Sequence, residues 1–305
     1  MLKLSNCLKF ALLASFLSTS LFAQEGETYS QYTVSGEYLY QGIDNYSEQK
    51  YKEAIEEFDK INESDTNYAE SVVDKASAYL QLEDYKSAEK ISKIAIDDNY
   101  EERHRHFLNL SSSLKGQKKY KESQVVYKQA ISEFPYNNAL NYNFILNYED
   151  QEKYDEVATR LKSKLETNYA YPRYTLKAGL LAHQEGEVTK AMMALGFYMI
   201  LDVGSNGSNS ILGGLNTDLQ SKPELEPVGF QFTKTGDDFT DLDLLINNYV
   251  ALNKKYKVPS KVKLAVVRQY FLMMDKLEYD KEDDGFFMQY YVPIYKKILK
   301  EDKFE

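Results

Sequence analysis

Tyr51-Lys-Glu-Ala54 is the stretch on which the reading of this chain turns, because close variants of it return four times. They are Tyr85-Lys-Ser-Ala88, Tyr120-Lys-Glu-Ser123, Tyr154-Asp-Glu-Val157 and Val188-Thr-Lys-Ala191. The last residue of each falls at 54, 88, 123, 157 and 191, in steps of 34, 35, 34 and 34. Such a period marks a repeat architecture, in which one unit cannot bury its apolar face alone and stacks on the next. Working outward, Gly42, Ala76, Ser111, Ile145 and Gly179 stand twelve residues before those positions. Four of these five are small, as close approach of two helix backbones requires. Three residues further on, Tyr79, Leu114, Tyr148 and Ala182 can plug the gap, while Asn45 does not. Four residues after the small position of the second helix come Phe58, Ser92, Tyr127, Leu161 and Leu195. Glu-Asp, Lys-Lys and Gly-Glu pairs just ahead of the repeated phrase read as turns. Each unit is thus a helix, a turn and a helix.

Over residues 33–204 these positions resemble the tetratricopeptide repeat, and Pro135 stands where a proline commonly closes one. The resemblance implies an all-α fold, an α-solenoid of about five helix-turn-helix repeats with a C-terminal helical cap region. Across the whole mature chain there is a weaker similarity to exported tetratricopeptide proteins of Bacteroidota-type bacteria. Residues 191–216, AMMALGFYMILDVGSNGSNSILGGLN, and 285–299, GFFMQYYVPIYKKIL, carry it. The expected organisation is a signal peptide at 1–23, the solenoid at 24–204 and a helical extension at 205–305.

The signal peptide is read from Lys3 and Lys9, the uncharged apolar run Phe10 to Phe22, and a small residue at Ala23. That run is short for a membrane span, and no other segment approaches one. The expected location is therefore the periplasm or another exported compartment, after cleavage near Ala23. The single cysteine, Cys7, lies inside the signal, so the mature chain has no disulfide, thiol nucleophile or thiolate metal site. With 37 basic and 47 acidic residues the net charge is -10, which argues against a nucleic-acid partner. The chain stops at Lys303-Phe304-Glu305 without a clear end signal, leaving open a continuation beyond it.

Beyond Val203 the 34-residue step breaks. Gly204-Ser-Asn-Gly-Ser-Asn209 reads as turn-rich punctuation, followed by an apolar stretch to Leu219 and an irregular Pro223/Pro227 segment with an extended bit at Phe230 to Phe232. Three apolar stripes at helical spacing follow: Phe239, Leu242, Ile246, Tyr249 and Leu252; Val262, Ala265, Val266, Gln269, Met273 and Leu277; Phe287, Tyr290, Tyr291, Ile294 and Ile298. Pro293 must start or kink the last helix. These helices are expected to dock on the last repeat and cover it.

His104 and His106, two apart on a helix, point about 200° apart, which is wrong for a shared metal. They read as a solvated helix start, and His183 stands alone. Asp280, Glu282, Asp284 and Gly285 mimic the opening of a calcium loop, but position twelve is Tyr291 where a bidentate Glu is needed. No phosphate-binding loop, Gly-x-Ser-x-Gly or His-Glu-x-x-His occurs, and no cofactor is expected. In tetratricopeptide stacks first-helix residues line the concave groove. The resemblance places there Arg105, Leu108, Ser112 and Lys115 in the third repeat and Ala139, Tyr142, Leu146 and Glu149 in the fourth. In the fifth it places Arg173, Leu176, Leu180 and His183. Basic and apolar residues mixed in this way suit an extended or helical peptide. The function expected is an exported scaffold for protein–protein interaction in an envelope complex, and no enzyme. The alternative is a glycan-binding helical protein of the starch-utilisation type, favoured by 27 Tyr and opposed by the absence of Trp.

Overall fold

In the computed structural model, residues 34–218, 237–253, 255–258 and 264–301 are described. The signal stretch 1–23, Phe230 to Phe232 and Val262 lie outside these residues. The described residues are helical, with no strand among them. Ten helices follow one another as five helix-turn-helix units: α1 (Val34–Ser47) with α2 (Tyr51–Phe58), α3 (Tyr68–Gln81) with α4 (Tyr85–Asp97), α5 (Arg103–Gly116) with α6 (Tyr120–Glu133), α7 (Asn138–Glu149) with α8 (Tyr154–Asn168), and α9 (Pro172–Gln184) with α10 (Val188–Leu201). The chain divides into two compact units, the boundary falling after Val157.

The pairs α1–α2, α3–α4, α5–α6 and α9–α10 close as the repeated positions require. Ala54, Ala88, Ser123, Val157 and Ala191 are all buried, as are Gly42, Ala76, Ser111, Ile145 and Gly179. Close approach is visible at individual pairs. A Cβ at Gly42 would run into the Phe58 ring, and one at Gly179 would lie 2.6 Å from the Leu195 side chain. Where the third repeat carries two serines, the Ser123 hydroxyl donates to the Ser111 carbonyl at 2.9 Å. A small residue thus faces a larger one sixteen positions on, and the core is filled by complementary sizes.

The turns repeat as faithfully as the helices. Gln49, Glu83, Lys118, Glu152 and Gly186 each have a positive φ, between 57° and 80°. The next N–H, that of Lys50, Asp84, Lys119, Lys153 or Glu187, donates to the carbonyl of Asn45, Tyr79, Leu114, Tyr148 or Ala182. This is the left-handed helix ending that satisfies the last carbonyls of a helix. Glycine takes that conformation without a Cβ penalty, yet only the fifth hairpin uses it.

Within residues 34–157 the first helices pack on one another, α1 on α3, α3 on α5 and α5 on α7. Buried amides tie neighbouring repeats together. Asn109 donates to the Val73 carbonyl at 2.9 Å, and Asn147 donates to the Ser123 hydroxyl at 2.9 Å.

In the unit from Ala158 onward, α10 is buried on every side: Met192, Met193, Ala194, Leu195, Gly196, Phe197 and Tyr198 are all buried. A helix apolar all round needs cover on all faces. The later helices supply it: α11 (Asn206–Asp218), α12 (Thr240–Asn247), α13 (Ala265–Lys276) and α14 (Val292–Glu301). The Tyr270 hydroxyl donates to the Met192 carbonyl at 2.8 Å, and the Tyr295 hydroxyl to the Met193 carbonyl at 2.7 Å. Both hydroxyls enter the notch that Gly196 leaves; a Cβ there would sit 2.5 Å from the Tyr295 oxygen. Asp243 accepts the Thr189 N–H at 2.6 Å at the start of α10. The C-terminal helices therefore cap the last hairpin, as the apolar stripes predict.

Two local readings change, and the one for Pro293 holds. The helix after the turn at Gly204 starts at Asn206, so most of the supposed punctuation is helical, with the Ser205 hydroxyl accepting the Ser208 N–H at 2.9 Å. The stripe through Leu252 is broken, because Tyr249 adopts a φ of 52° and only a 3₁₀ turn follows. Pro293 is the second residue of α14, directly after a π turn at Phe287–Tyr291. The wider turn accommodates a ring that would otherwise crowd the carbonyl four residues back.

Candidate functional site

The first-helix row carries the expected binding residues, and one part of it forms a recess. About 300 Å³ of space is lined by Ile43, Tyr46, Phe58, Asp74, Ser77 and Arg105. Ile43 and Ser77 each follow the small position by one, the register of Ser112 and Leu146 further along. Tyr46 occupies the register of Lys115 and Glu149. The sequence reading placed the groove in repeats three to five and stopped there. Carrying the same register back two repeats would have found Ile43, Tyr46 and Ser77.

The recess is held by polar ties. The Arg105 guanidinium reaches back to Asp74, Nη2 to Oδ1, at 2.5 Å. Burial raises the Asp74 carboxyl above its ordinary range, and Arg105 only partly offsets this. Glu70, one helical turn earlier, is raised by burial and then by the Asp74 charge. The Tyr46 ring meets Tyr51 edge-on, centroids 5.3 Å apart, which holds it at the rim. The Ser77 hydroxyl donates to the Val73 carbonyl at 3.0 Å. At the mouth, Ile43 is 42% exposed.

Further along the same unit, Leu108, Ala139, Tyr142, Leu146 and Glu149 are half-buried. Lys115 pairs with Asp150 at 2.9 Å. The two basic residues expected to offer positive charge, Arg105 and Lys115, each face an acid from the neighbouring repeat. That pairing was invisible in the sequence because it joins residues 31 and 35 apart on different helices. In the other unit, Arg173 and His183 are exposed on α9 and Leu176 is half-buried.

The histidine pair needs a correction. His104 is half-exposed beside Phe134, with ring centroids 5.9 Å apart, but His106 is 0% exposed and belongs to the core. Its ring lies edge-on to Tyr100 at 6.4 Å, and neither ring nitrogen has a hydrogen-bond partner among the described residues. Burial, with the Arg105 charge beside it, pushes its pKa down to about 4. A solvated helix start therefore describes only its neighbour.

The acidic loop near the end uses its carboxylates on backbone N–H groups. Asp280 accepts from Glu282 at 2.9 Å, and Asp283 accepts from Gly285 at 2.7 Å and from Asp237 at 3.0 Å. Asp237 accepts from Phe287 and Met288 at 2.9 and 2.6 Å. Asp237, held in turn by Asp283 of the loop, thereby caps the π turn. Among the described residues no group of three or more His, Cys, Asp or Glu is placed to hold a metal ion, and no helix is long and apolar enough to cross a membrane.

No protein-family model matches the chain, and no curated protein matches it. Solved structures similar to it include a thermophilic TPR protein, TTC0263, of Thermus thermophilus. Its sequence identity is 17% and its TM-score 0.48, over 59% of this chain and 97% of that one. A tetratricopeptide repeat protein from Parabacteroides merdae is 14% identical with a TM-score of 0.43, over 88% of this chain and 98% of that one. A MamA RS-1 ArsTM double mutant is 14% identical with a TM-score of 0.43, over 57% of this chain and 97% of that one.

Proposed function

We propose that this chain of tetratricopeptide-type hairpins is a non-catalytic scaffold that holds a peptide segment of another protein along its first-helix row. The observation that carries the reading is the recess between α1, α3 and α5, with partly exposed Ile43 at its mouth. An apolar-rimmed notch with a few fixed polar groups suits the anchor side chain of an extended or helical segment. Arg105, Leu108, Lys115, Tyr142, Leu146 and Glu149 would carry the segment onward. Arg173, Leu176 and His183 offer the matching register on α9.

The same reading places the protein in the cell envelope, where export through the stretch 1–23 would deliver it as part of a complex. Sequencing the N-terminus of the protein recovered from a periplasmic fraction tests this; a chain found in the cytoplasm and still beginning at Met1 would overturn it. Binding is tested by recovering partners from solubilised envelope with wild-type protein and with Ile43→Arg, which fills the recess from its rim. Because Ile43 is partly exposed, the variant should fold normally. Recovery should drop at least tenfold, equivalent to ~1.4 kcal/mol. Unchanged recovery would defeat the groove reading.

A further inference from the structure

Resting on that reading, we infer that the segment taken up at the recess is cationic: a Lys or Arg flanked by apolar residues, entering between α1 and α3. The wall of the recess carries Asp74, and Glu70 lies within electrostatic reach of it. Against these two stands the single Arg105 guanidinium, which contacts one oxygen of Asp74 and also acts on Glu70. The sum leaves an excess of negative charge in a partly buried notch, where charges are screened less than on an open surface. Around the notch the lining is apolar: Ile43, Tyr46 and Phe58. A long side chain with an aliphatic stem and a cationic tip matches both features at once, its stem along Ile43 and Phe58 and its tip toward Asp74 and Glu70. An anionic segment would meet the same carboxylates with repulsion. The chain's own residues 24–33 do not match, because they carry Glu25 and Glu27 and no basic residue.

The probes are fluorescein-labelled twelve-residue peptides in which Leu alternates with Lys, Gln or Glu, and the readout is fluorescence anisotropy. Five proteins are compared: wild type, Ile43→Arg, Glu70→Gln, Glu70→Gln/Asp74→Asn, and Glu53→Gln/Glu56→Gln. The last removes the same charge as the double recess variant from exposed positions on α2. The Lys peptide should bind wild type at least tenfold more tightly than the Gln or Glu peptide. Glu70→Gln, which leaves the Asp74–Arg105 pair intact, should weaken it about threefold, and the double recess variant at least tenfold. The α2 variant should stay within twofold of wild type. If the α2 variant weakens the Lys peptide as much as the recess variant does, the attraction is diffuse and the inference is wrong. A Glu peptide that binds as tightly as the Lys peptide, and is lost in Ile43→Arg, overturns the charge class while the groove stands. If Ile43→Arg changes neither peptide binding nor partner recovery, the groove reading falls as well.

Discussion

Residues 34–157 and residues 158–301 are built from the same helical hairpin but stabilised over different distances along the chain. In the first unit each hairpin is closed by residues about sixteen positions apart and each neighbour is reached within some 35, so every contact is local and is made again in the next repeat. In the second, the helix α10 is held by partners 54, 78 and 102 residues away: Asp243, Tyr270 and Tyr295. The first arrangement spreads its stability over many equivalent joints. The second concentrates it on one helix, so that a single notch governs the packing of two others.

The sharpest way to break that contrast is Gly196→Val. It drives both tyrosine hydroxyls out of the notch and strands the buried groups, costing about 4 kcal/mol from overpacking plus lost hydrogen bonds. Urea unfolding measures the loss, and hydrogen exchange should rise across α10, α13 and α14 together. A melting curve like that of wild type would show that the hydroxyl contacts do not hold the cap. Next comes Ala88→Asp, which buries a charge at a fully buried hairpin contact and should cost about 3 kcal/mol. Here exchange should rise in α3 and α4 and fade within one repeat on either side; a uniform rise would contradict the joint-by-joint picture.

Acid should act with opposite sign on His106 and on the buried carboxylates, among them Asp74 and Glu70 of the same unit. The pKa of His106 is depressed to about 4 from an ordinary 6.5, so its contribution is present above pH 6.5 and is lost as pH falls toward 4. Between pH 7.5 and 5 that amounts to about 2 kcal/mol, which His106→Leu should abolish in thermal melts. Asp237 and Asp243, in the other unit, are raised by burial. Their contribution is present below the ordinary carboxylate range and is lost as pH rises through the raised values. If His106→Leu keeps the wild-type dependence, the buried imidazole is not its source.

The smallest effect concerns the turns. Lys118→Gly should stabilise the first unit by about 0.5 kcal/mol, since relief of the left-handed backbone outweighs the added freedom of the unfolded chain. Gly186→Ala should destabilise the second by about 1 kcal/mol. Shifts of opposite sign in melting temperature would confirm that the five turns are one structure; a destabilised Lys118→Gly would show that the Lys side chain contributes something the turn geometry does not.

How much of this was legible in the sequence follows the same division. Ala54, Ala88, Ser123, Val157 and Ala191 announce themselves by period, and all prove buried. The groove register could be laid out from one repeat onto the next, but its charges could not: Arg105 is written as a free base, and only the fold brings Asp74 to it. His106 misled because its neighbours Arg103, His104 and Arg105 are polar, while the helix turns it alone into the core. In the last third the apolar stripes gave helices and a covered hairpin. The Tyr270 and Tyr295 bonds, by contrast, rest on a three-dimensional meeting at Gly196 that no spacing encodes.

The all-round apolar character of α10 also bears on how the chain is made. The earlier hairpins can close within seconds of leaving the ribosome, each needing only the residues of its own repeat. The helix α10 stays without its full cover until Tyr295 arrives, 102 residues after Met193. At common synthesis rates that is a wait of about 5–20 s with an oily segment exposed. Chaperone capture in this interval, and aggregation of any product truncated between α10 and α13, are what the architecture asks of the cell that makes it.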